Sequence, residues 1–501
     1  MMISKQNAES PLYAIIDLGS NSFHMLIARL LADSVQTVDK VKRKVRLAGG
    51  LDEDNNLDEA AISRGLECLS FFAERLQDIP AENIRVVATA TLRIANNAGL
   101  FLTRAEKILG TKVSLLTGLE EAETIYLGVA HTSCSADQRL VLDIGGASTE
   151  IIIGEAFAVK KITSLDIGCV TFNRRYFADG LLSEKNFTAA ITRAKAELAP
   201  LVASYTDIGW QDVLGGSGTM QALAEILMYQ KRPAIITLDF LHALQQQLLA
   251  CKRVADITIP GLAIDRKPVF ASGLAILTAL FETLNIRQLQ LSSGALREGL
   301  LYEMLPDMRK ISIRQRTINS LTQRFHIDQP HASRVNEQAG RLIQLWQLPQ
   351  AKPHTNQVQL LTTACALHEV GLLMEYKHHQ QHGAYIIQHA DLPGFDQSER
   401  QLLVALVRLY KADINLEQLK DQATVPYRDA CLLLAALRLA VILCRRRRDD
   451  VLPDYQSRIE GQTIYLCLPQ QWLAQHPLIV DELRQENLYL RTLDLSLSIE
   501  C

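Results

Sequence analysis

Two segments of the chain share one arrangement of hydrophobic and polar positions. Residues 13–27 and 140–153 each contain an apolar run, a turn of the form Asp-x-Gly-x-x-Ser and a second apolar run. The shared positions keep a constant offset: Asp17, Gly19 and Ser22 in the first copy, and Asp143, Gly145 and Ser148 in the second. Apolar runs joined by a glycine-containing turn are typical of buried strands. We therefore predict two β-hairpins that arose by duplication of a domain, because solenoid repeats have periods of only roughly 20–50 residues.

The remainder of the first 306 residues alternates between strand-like and helical spacing. Helices are predicted over residues 59–76, 97–108, 120–129, 220–228 and 296–304, and strands over 83–89, 112–116, 212–214 and 288–291. The last two strands lead through the glycine-containing turns 215–219 and 292–295 into helices. Such turns place backbone N–H groups at helix starts, which is an arrangement that binds anions.

Beyond residue 306 the pattern becomes mainly helical. Helical spacing covers residues 312–348, 357–370, 398–410 and 427–444, and alternation typical of strands covers 463–468 and 488–499. We therefore predict an α/β protein with four domains: 1–130 and 131–306 as the duplicated pair, 307–450 as a helical domain, and 451–501 as a small α+β domain.

Composition narrows the class of protein. The chain has 501 residues, 48% of them hydrophobic, and a formal net charge of -3. No global basic field points to DNA. None of the nine cysteines forms a CxxC pair, which favours reduced thiols in a cytoplasmic protein. The apolar run 432–444 is too short for a membrane span and contains Arg438, so we expect a buried helix, and neither a membrane nor a DNA partner.

The two predicted turns have a direct logic for binding phosphate. Glycine allows the backbone to approach closely, so that N–H groups and the serine hydroxyl can donate to phosphate oxygens. An aspartate would repel phosphate, and a divalent cation held by it would bridge the two. One such turn alone is more often structural, whereas two copies at a constant offset favour a functional site.

These residues resemble known motifs. DLGSNSFH (17–24) and DIGGASTE (143–150) resemble the phosphate motifs of the actin/Hsp70/sugar-kinase superfamily. KRKVRLAGGLDEDN (42–55), ATATLRIANN (88–97) and LTGLEEAE (116–123) resemble the exopolyphosphatase/guanosine pentaphosphate phosphatase family. The resemblance continues through SSGALREGL (292–300) to RRRRDDVLP (445–453), and so covers nearly the whole chain. The wording of KRKVRLA, VVATATLR and RRRRDDVLP favours the guanosine pentaphosphate branch over the polyphosphate-specific one.

The resemblance implies a fold and an activity. The fold would be two tandem actin-like (ribonuclease H-like) domains, an α-helical HD-like domain and a small strand-rich C-terminal piece. The activity would be hydrolysis of the 5′-terminal phosphate of guanosine pentaphosphate in the stringent response, with exopolyphosphatase activity on inorganic polyphosphate. Mg²⁺ or Mn²⁺ would be the cofactor, and the protein would form a homodimer.

The resemblance also assigns roles to residues. Glu121 would be the catalytic carboxylate and Arg93 would reach the terminal phosphate. Metal-binding positions are Asp143 and Glu150, with Asp17 acting through water. Phosphate-binding positions are Ser20, Asn21, Ser22, Gly145, Gly146, Ser148, Gly216 and Ser217. From the residues alone, an acidic first turn of a helix and a surface salt bridge remain ordinary readings of Glu120-Glu121 and Arg93.

Two features of the C-terminal half stay open in the sequence. His368-Glu369 stands where HD phosphohydrolases have His-Asp, with His378, His379, His382 and His389 nearby, and we expect a structural role for it rather than a metal site. Arg445–Arg448 is either a solvated helix end or a docking patch for an anion.

Other functions remain compatible with the same motifs. The alternatives are a polyphosphate-specific exopolyphosphatase, a kinase or ATPase of the same superfamily, and a non-catalytic sensor of guanosine tetra- and pentaphosphate. The sequence marks no pocket for a phosphate acceptor, which disfavours the kinase, and the intact carboxylates disfavour the sensor.

Overall fold

The computed structural model describes residues 10–32, 34–133, 138–305, 308, 312–348 and 357–500. The chain divides into two compact units, Met1–Leu31 with Val35–Lys310, and Ala32–Ser34 with Ile311–Cys501. The division falls close to the predicted boundary at 306/307, and the finer divisions at 130/131 and 450/451 stay predictions.

The first unit contains two mixed sheets flanked by helices. The elements of the first sheet and its helices are β1 (Leu12–Leu18), β2 (Ser22–Leu31), β3 (Ser34–Lys44), α1 (Glu59–Leu76), β4 (Ile84–Ala88), α2 (Ala90–Ile94), α3 (Ala98–Leu109), β5 (Val113–Leu115) and α4 (Gly118–Thr132). The strand order is β3-β2-β1-β4-β5. Both faces of β1 are buried, because Ile16 enters the core beneath α1 and α3 while Ile15 enters a second core with α4.

The second sheet follows the same plan. Its elements are β6 (Arg139–Ile144), β7 (Thr149–Glu155), β8 (Ala158–Leu165), α5 (Cys169–Tyr176), α6 (Glu184–Leu198), α7 (Val202–Thr206), β9 (Asp212–Gly215), α8 (Gly218–Tyr229), β10 (Ile235–Ile236), α9 (Leu238–Cys251), α10 (Lys267–Leu284), β11 (Leu289–Leu291) and α11 (Leu296–Glu303). The order β10-β11-β9-β6-β7-β8 contains the run β8-β7-β6-β9-β11, which matches β3-β2-β1-β4-β5 strand for strand. The repeat read from the sequence is therefore a repeat of sheet topology.

Helices α4 and α11 pack closely enough to fix the start of α4. A Cβ atom added to Gly128 would lie 2.1 Å from the carbonyl oxygen of Ala295, and one added to Gly299 would lie 1.8 Å from that of Thr124. Only glycine permits this approach of two backbones. The contact holds the helix whose first turn carries Glu121.

One helix of the first unit, Ile264–Leu284, is long and apolar enough to cross a membrane by length and composition. Within the unit, 72% of its most apolar stretch is buried. A helix at the centre of a folded core has the same composition, and Phe270, Leu274 and Leu277 pack into that core.

The second unit is a helical assembly that carries a small sheet. Its elements are α12 (Ile313–Arg324), α13 (Gln329–Leu345), α14 (Gln357–Leu367), α15 (His379–His389), α16 (Gln397–Leu409), α17 (Leu416–Lys420), α18 (Tyr427–Leu443), β12 (Gln456–Glu460), β13 (Thr463–Cys467), α19 (Gln470–Gln475), α20 (Pro477–Leu490) and β14 (Ser496–Glu500). The strand order is β12-β13-β14. One hydrophobic core runs through helices and sheet alike. The predicted buried helix is α18, whose Arg438 donates two hydrogen bonds to Glu486, at 2.6 and 3.0 Å.

The helical spacing predicted over residues 312–348 corresponds to two helices, because Asp328 caps a new helix that has a proline in its first turn. One prediction for this unit was wrong. The strand predicted over 488–499 begins only at Ser496, since residues up to Leu490 belong to α20. That helix buries Ile479, Leu483 and Leu490 at helical spacing.

Candidate active site

The two hairpins place their aspartates opposite different residues. Asp17 in β1 pairs with His24 in β2, and Asp143 in β6 pairs with Glu150 in β7. The Nδ1 atom of His24 lies 3.5 Å from Oδ2 of Asp17. His24 and Glu150 therefore occupy the same register position in the two hairpins.

The turns of the two hairpins lie against each other. A Cβ atom added to Gly146 would stand 2.6 Å from the Cβ atom of Ser20. The predicted phosphate-binding residues Ser20, Ser22 and Ser148 are buried at this junction. The Gly145 N–H closes its turn by donating to the carbonyl oxygen of Ser148 at 2.9 Å.

Two further turns complete the surroundings of Asp143 and of the first hairpin. The carbonyl oxygen of Asn21 accepts hydrogen bonds from the N–H groups of Val45 and Arg46, at 3.2 and 2.9 Å, which fixes the first turn. A Cβ atom added to Gly216 would stand 3.3 Å from Oδ2 of Asp143, so the glycine-rich turn after β9 adjoins the second hairpin. Ser217 is the N-cap of α8, and its hydroxyl contacts the sulfur of Met220 at 3.0 Å.

The adjacent glutamates at the start of α4 have different surroundings. Glu120 is exposed and accepts hydrogen bonds from the N–H and the hydroxyl of Thr117, at 2.8 and 2.9 Å, in a capping box. Glu121 is buried, and its Oε2 accepts a hydrogen bond from Arg93 at 3.1 Å. Arg93 also donates to the carbonyl oxygen of Leu116 at 2.8 Å, which fixes its guanidinium. Helix capping thus accounts for Glu120 and leaves Glu121 for chemistry.

The buried carboxylates destabilise one another when all are ionised. Burial raises the pKa of Glu121 above its usual range, the neighbouring Glu150 raises it further, and Arg93 opposes both. Burial and then Asp143 raise the pKa of Glu150, against hydrogen bonds from Ser148 and Ser164. Burial, followed by the charges of Glu121 and Asp17, raises the pKa of Asp143 to about 7. The group holds more negative charge than the nearby arginines offset.

This donor set fits a divalent cation. Buried carboxylate oxygens are the ligands that Mg²⁺ and Mn²⁺ prefer, and a cation would favour the ionised forms that burial disfavours. In the described part of the chain, Asp17, Asp143 and Glu150 do not bring three donor atoms within 4.8 Å of one another.

The structure adds residues that the sequence did not single out. Ser164, in β8, donates to Oε1 of Glu150 at 2.9 Å. Arg266 lies over the start of α8, where a Cβ atom on Gly218 would meet its guanidinium at 2.0 Å. The charge of Arg297, in α11, lowers the pKa of Asp143. Arg297 lies in the quoted stretch 292–300, which was the only available signal, because the other two have no local pattern.

The end of strand β3 places neighbouring basic side chains on opposite faces. Arg43 packs over the ring of Phe71, 5.2 Å from its centroid. On the other face, Lys44 pairs with Asp265 at 3.1 Å. Burial lowers the pKa of Lys42, and the positive charge of Arg266 lowers it further. A cluster of cations therefore lies beside the glycine-rich turn.

Comparison with known proteins shows which family the chain resembles. The Ppx/GppA phosphatase family matches residues 26–308, and domain III of Ppx/GppA phosphatases matches residues 313–487.

The chain belongs to the Ppx/GppA phosphatase family.

Among curated relatives, the guanosine-5′-triphosphate,3′-diphosphate pyrophosphatase of Photobacterium profundum is 49% identical over 487 residues, which cover 96% of each chain. The protein of the same name from Vibrio cholerae is 47% identical and covers 99% of each chain.

Solved structures resemble this chain over somewhat more than half of its length. An exopolyphosphatase of Cytophaga hutchinsonii is 25% identical, with a TM-score of 0.55, over 59% of this chain and 98% of that one. The Ppx/GppA family member of Aquifex aeolicus is 24% identical, with a TM-score of 0.51, over 59% and 98% of the two chains. As a member of a phosphatase family, the chain is an enzyme, and its second Asp-x-Gly-x-x-Ser turn (143–148) lies within the matched residues.

Proposed function

We propose that this phosphatase hydrolyses the 5′-terminal phosphate of guanosine pentaphosphate to give guanosine tetraphosphate and phosphate, and that it also shortens inorganic polyphosphate. The observation that carries the proposal is the buried Glu121 beside Arg93, next to the turns of both hairpins. The names of relatives 47% to 49% identical over nearly the whole chain supply the nucleotide.

The reaction follows from the placement of these groups. Backbone N–H groups of the two turns, among them those around Ser148, donate with the hydroxyl of Ser20 to the oxygens of the terminal phosphate. Arg93 offsets the charge that develops on that phosphate. Glu121 orients a water molecule and takes its proton as the water oxygen bonds to phosphorus. The bond between this phosphorus and the bridging oxygen breaks, and the bridging oxygen leaves with the nucleotide.

A divalent cation, Mg²⁺ or Mn²⁺, would be held by Asp143 and Glu150, with Asp17 acting through water. When bound, it supplies positive charge to the phosphate oxygens and to the carboxylates around it. The carboxylates themselves orient the two turns, and Ser164 fixes Glu150 by its hydrogen bond at 2.9 Å.

The basic cluster supports a substrate with more than one phosphate group. Lys42 lies close enough to Lys44, Arg266 and Arg297 for each of their charges to lower its pKa. Cations crowded in this way are stabilised by a polyanion. In the proposed complex the cluster binds the 3′-diphosphate of the nucleotide, or the following phosphates of a polyphosphate chain, while the terminal phosphate lies at Glu121.

Substrate comparison tests this proposal. Phosphate release from guanosine pentaphosphate, GTP and long-chain polyphosphate is measured side by side, with Mg²⁺ present. We expect a higher kcat/KM for the pentaphosphate than for GTP, which lacks the 3′-diphosphate. Lys42→Ala should raise KM for the pentaphosphate roughly tenfold, as expected for one lost charge–phosphate contact, and change KM for GTP little. Lys107→Ala, an exposed lysine on α3, is the matched control.

Three outcomes would redirect the proposal. A kcat/KM for polyphosphate far above that for the nucleotide would favour a polyphosphate-specific enzyme. Tight nucleotide binding without phosphate release in Mg²⁺ would favour a sensor. Equal effects of Lys42→Ala on both nucleotides would remove the basic cluster from recognition of the 3′-diphosphate.

We also propose that the enzyme is a cytoplasmic homodimer that acts in the stringent response, and that the helices of the second unit form an HD-like domain. The sequence resemblance supports these points, together with the match of residues 313–487 to the family's domain III. Light scattering after size exclusion measures the oligomer, and a monomer at micromolar concentration would contradict it.

A further inference from the structure

Three buried side chains of the second unit converge. His331 lies in the first turn of α13, and His368 and Glu369 follow the end of α14. One potential ligand atom from each lies within 4.8 Å of the others, and all three residues are buried. The sequence drew attention to His368-Glu369 and to the histidines after it, but not to His331.

The ring of His368 is held with a free lone pair directed into the protein. Its Nδ1 lies 2.7 Å from the carbonyl oxygen of Cys365. A carbonyl only accepts hydrogen bonds, so Nδ1 carries the proton and Nε2 carries the lone pair. His368 is fully buried, and its Nε2 has no hydrogen-bond partner within the described residues. Metal-binding histidines usually have this arrangement: one ring nitrogen donates a hydrogen bond to a neighbouring group, and the other binds the metal.

His331 and Glu369 complete the cluster. The Nε2 atom of His331 lies 3.9 Å from Oε1 of Glu369, and its buried Nδ1 lacks a partner within the described ranges. Buried polar atoms without partners are unfavourable, and unfilled sites of this kind indicate a missing ligand. His379 is different, because its two ring nitrogens contact the carbonyl oxygen of Tyr376 and the hydroxyl of Tyr410.

We propose that His331, His368 and Glu369 bind one divalent ion of the first transition row, with Zn²⁺ as the probe. Two imidazole nitrogens and one carboxylate oxygen form a donor set suited to zinc, and water would fill the remaining position. This site differs in donors from the all-carboxylate set of the first unit. It replaces the structural role expected for His368-Glu369 from the sequence.

Arg447 is the competitor for this ion. Its guanidinium pairs with Glu369 and, at 3.0 Å, with Asp328. The side chain is 42% exposed and stands on a residue with φ of 51° in the segment after α18. Arg447 therefore supplies the positive charge that Glu369 needs when no metal is bound, and it can swing out into solvent. A metal ion and the guanidinium compete for the negative charge of Glu369, so Arg447 lowers the affinity of the site for the metal.

Zinc titration of the full chain tests the site. The protein carries Asp143→Asn and Glu150→Gln, which remove the proposed magnesium ligands, and bound Zn²⁺ is measured by competition with a chromophoric chelator. We expect one equivalent to bind. Glu369→Gln and His368→Gln should each weaken binding roughly 100-fold through loss of a ligand. Arg447→Gln should strengthen it about tenfold, because the competing cation is gone.

Controls separate this site from adventitious zinc binding. His382→Gln removes an exposed histidine that lies 3.8 Å from Glu375, and it should leave the affinity unchanged. Should His368→Gln fail to fold, Glu369→Gln and the exposed Arg447→Gln still decide the matter. Absence of a bound equivalent, or loss of it with His382→Gln but not with Glu369→Gln, would overturn the proposal. Neither readout depends on phosphate release, so the proposed function stands or falls separately.

Discussion

The two hairpins of the first unit share a backbone and differ in what faces the aspartate. In the first, Asp17 faces His24, a partner that becomes positive when protonated. In the second, Asp143 faces Glu150, which adds negative charge to a buried site. The two hairpins therefore differ in charge at one register position, and in the proposed mechanism only the second hairpin binds a cation.

The surroundings deepen this difference. Glu150 is fixed by Ser164, and its charge raises the pKa of Glu121 across the site. The charge of Asp17 also raises the pKa of Glu121, but less than the charge of Glu150 does. Only burial raises this pKa more than Glu150. In the proposed mechanism, Glu121 and the second hairpin therefore carry the chemistry, and the first hairpin mainly orients phosphate.

Loss of the hydrolytic carboxylate should have the largest effect. Glu121→Gln keeps the shape and the contact with Arg93 but cannot accept a proton. We expect kcat for phosphate release to fall about 1000-fold, in the range of general-base catalysis, with a melting temperature no lower than that of the wild type. Glu120→Gln is the control, because that residue only caps α4, and its kcat should stay within threefold of wild type. A Glu121→Gln enzyme with near-normal kcat would remove the residue from the mechanism.

Opposed substitutions in the two hairpins test the asymmetry itself. Glu150→Gln should lower kcat/KM roughly 100-fold and raise the Mg²⁺ concentration needed for half-maximal rate, since it removes a charge from the proposed cation site. His24→Gln, at the same register position of the first hairpin, should lower kcat/KM less than tenfold. Equal losses in the two variants, measured by phosphate release across a magnesium titration, would contradict the division of roles.

The local pattern of hydrophobic and polar residues predicted much of the fold. Helix α1 was predicted over 59–76 and is observed as Glu59–Leu76, because Asp58 caps it and its buried residues keep helical spacing. Both hairpins were predicted for the same reason, since turn chemistry and apolar runs act over a few residues. Residues 488–499 contain the end of one short element and the start of another. Over so few residues, the alternation typical of a strand cannot be distinguished from helical spacing.

The site was predictable only where the repeat or the family resemblance marked it. Glu121 and Glu120 are neighbours in sequence, and only the capping box shows which is structural. Ser164 reaches Glu150 because β8 pairs with β7 in a register that places the two residues opposite each other. His331 meets His368 through the packing of α13 on α14. Such contacts depend on tertiary packing and leave no local pattern.

In the absence of divalent cations, the stability of the protein should depend on pH because of the excess negative charge at the second hairpin. The folded pKa of Asp143 is raised to about 7 from an unfolded value near ~4, so the folded state binds a proton that the unfolded state releases. Its stabilising contribution is complete below about pH 4 and is lost as pH rises through about 7. Glu121 and Glu150 shift in the same direction. The melting temperature in chelator should therefore fall between pH 5 and pH 8, measured by calorimetry.

Matched variants test which carboxylates cause this decrease of the melting temperature with pH. Asp143→Asn with Glu150→Gln should flatten the decrease, whereas Asp17→Asn should change it less. Added Mg²⁺ should restore the melting temperature of the wild type at pH 8 and leave the double variant unaffected. A double variant with the wild-type slope would place the excess charge elsewhere.

The smallest expected effect concerns the contact between the hairpins. A methyl group at Gly146 would lie 2.6 Å from the Cβ atom of Ser20, so Gly146→Ala must push the two turns apart. We expect a roughly tenfold rise in KM, because the two sets of donors no longer meet one phosphate. Gly99→Ala is the control, since a methyl group there meets nothing within 4 Å and alanine favours helix α3 by up to about 1 kcal/mol. If Gly146→Ala left KM unchanged, the turns would act on the phosphate separately, and the first hairpin's contribution would have to be sought in Asn21 and the strand-end segment that it holds.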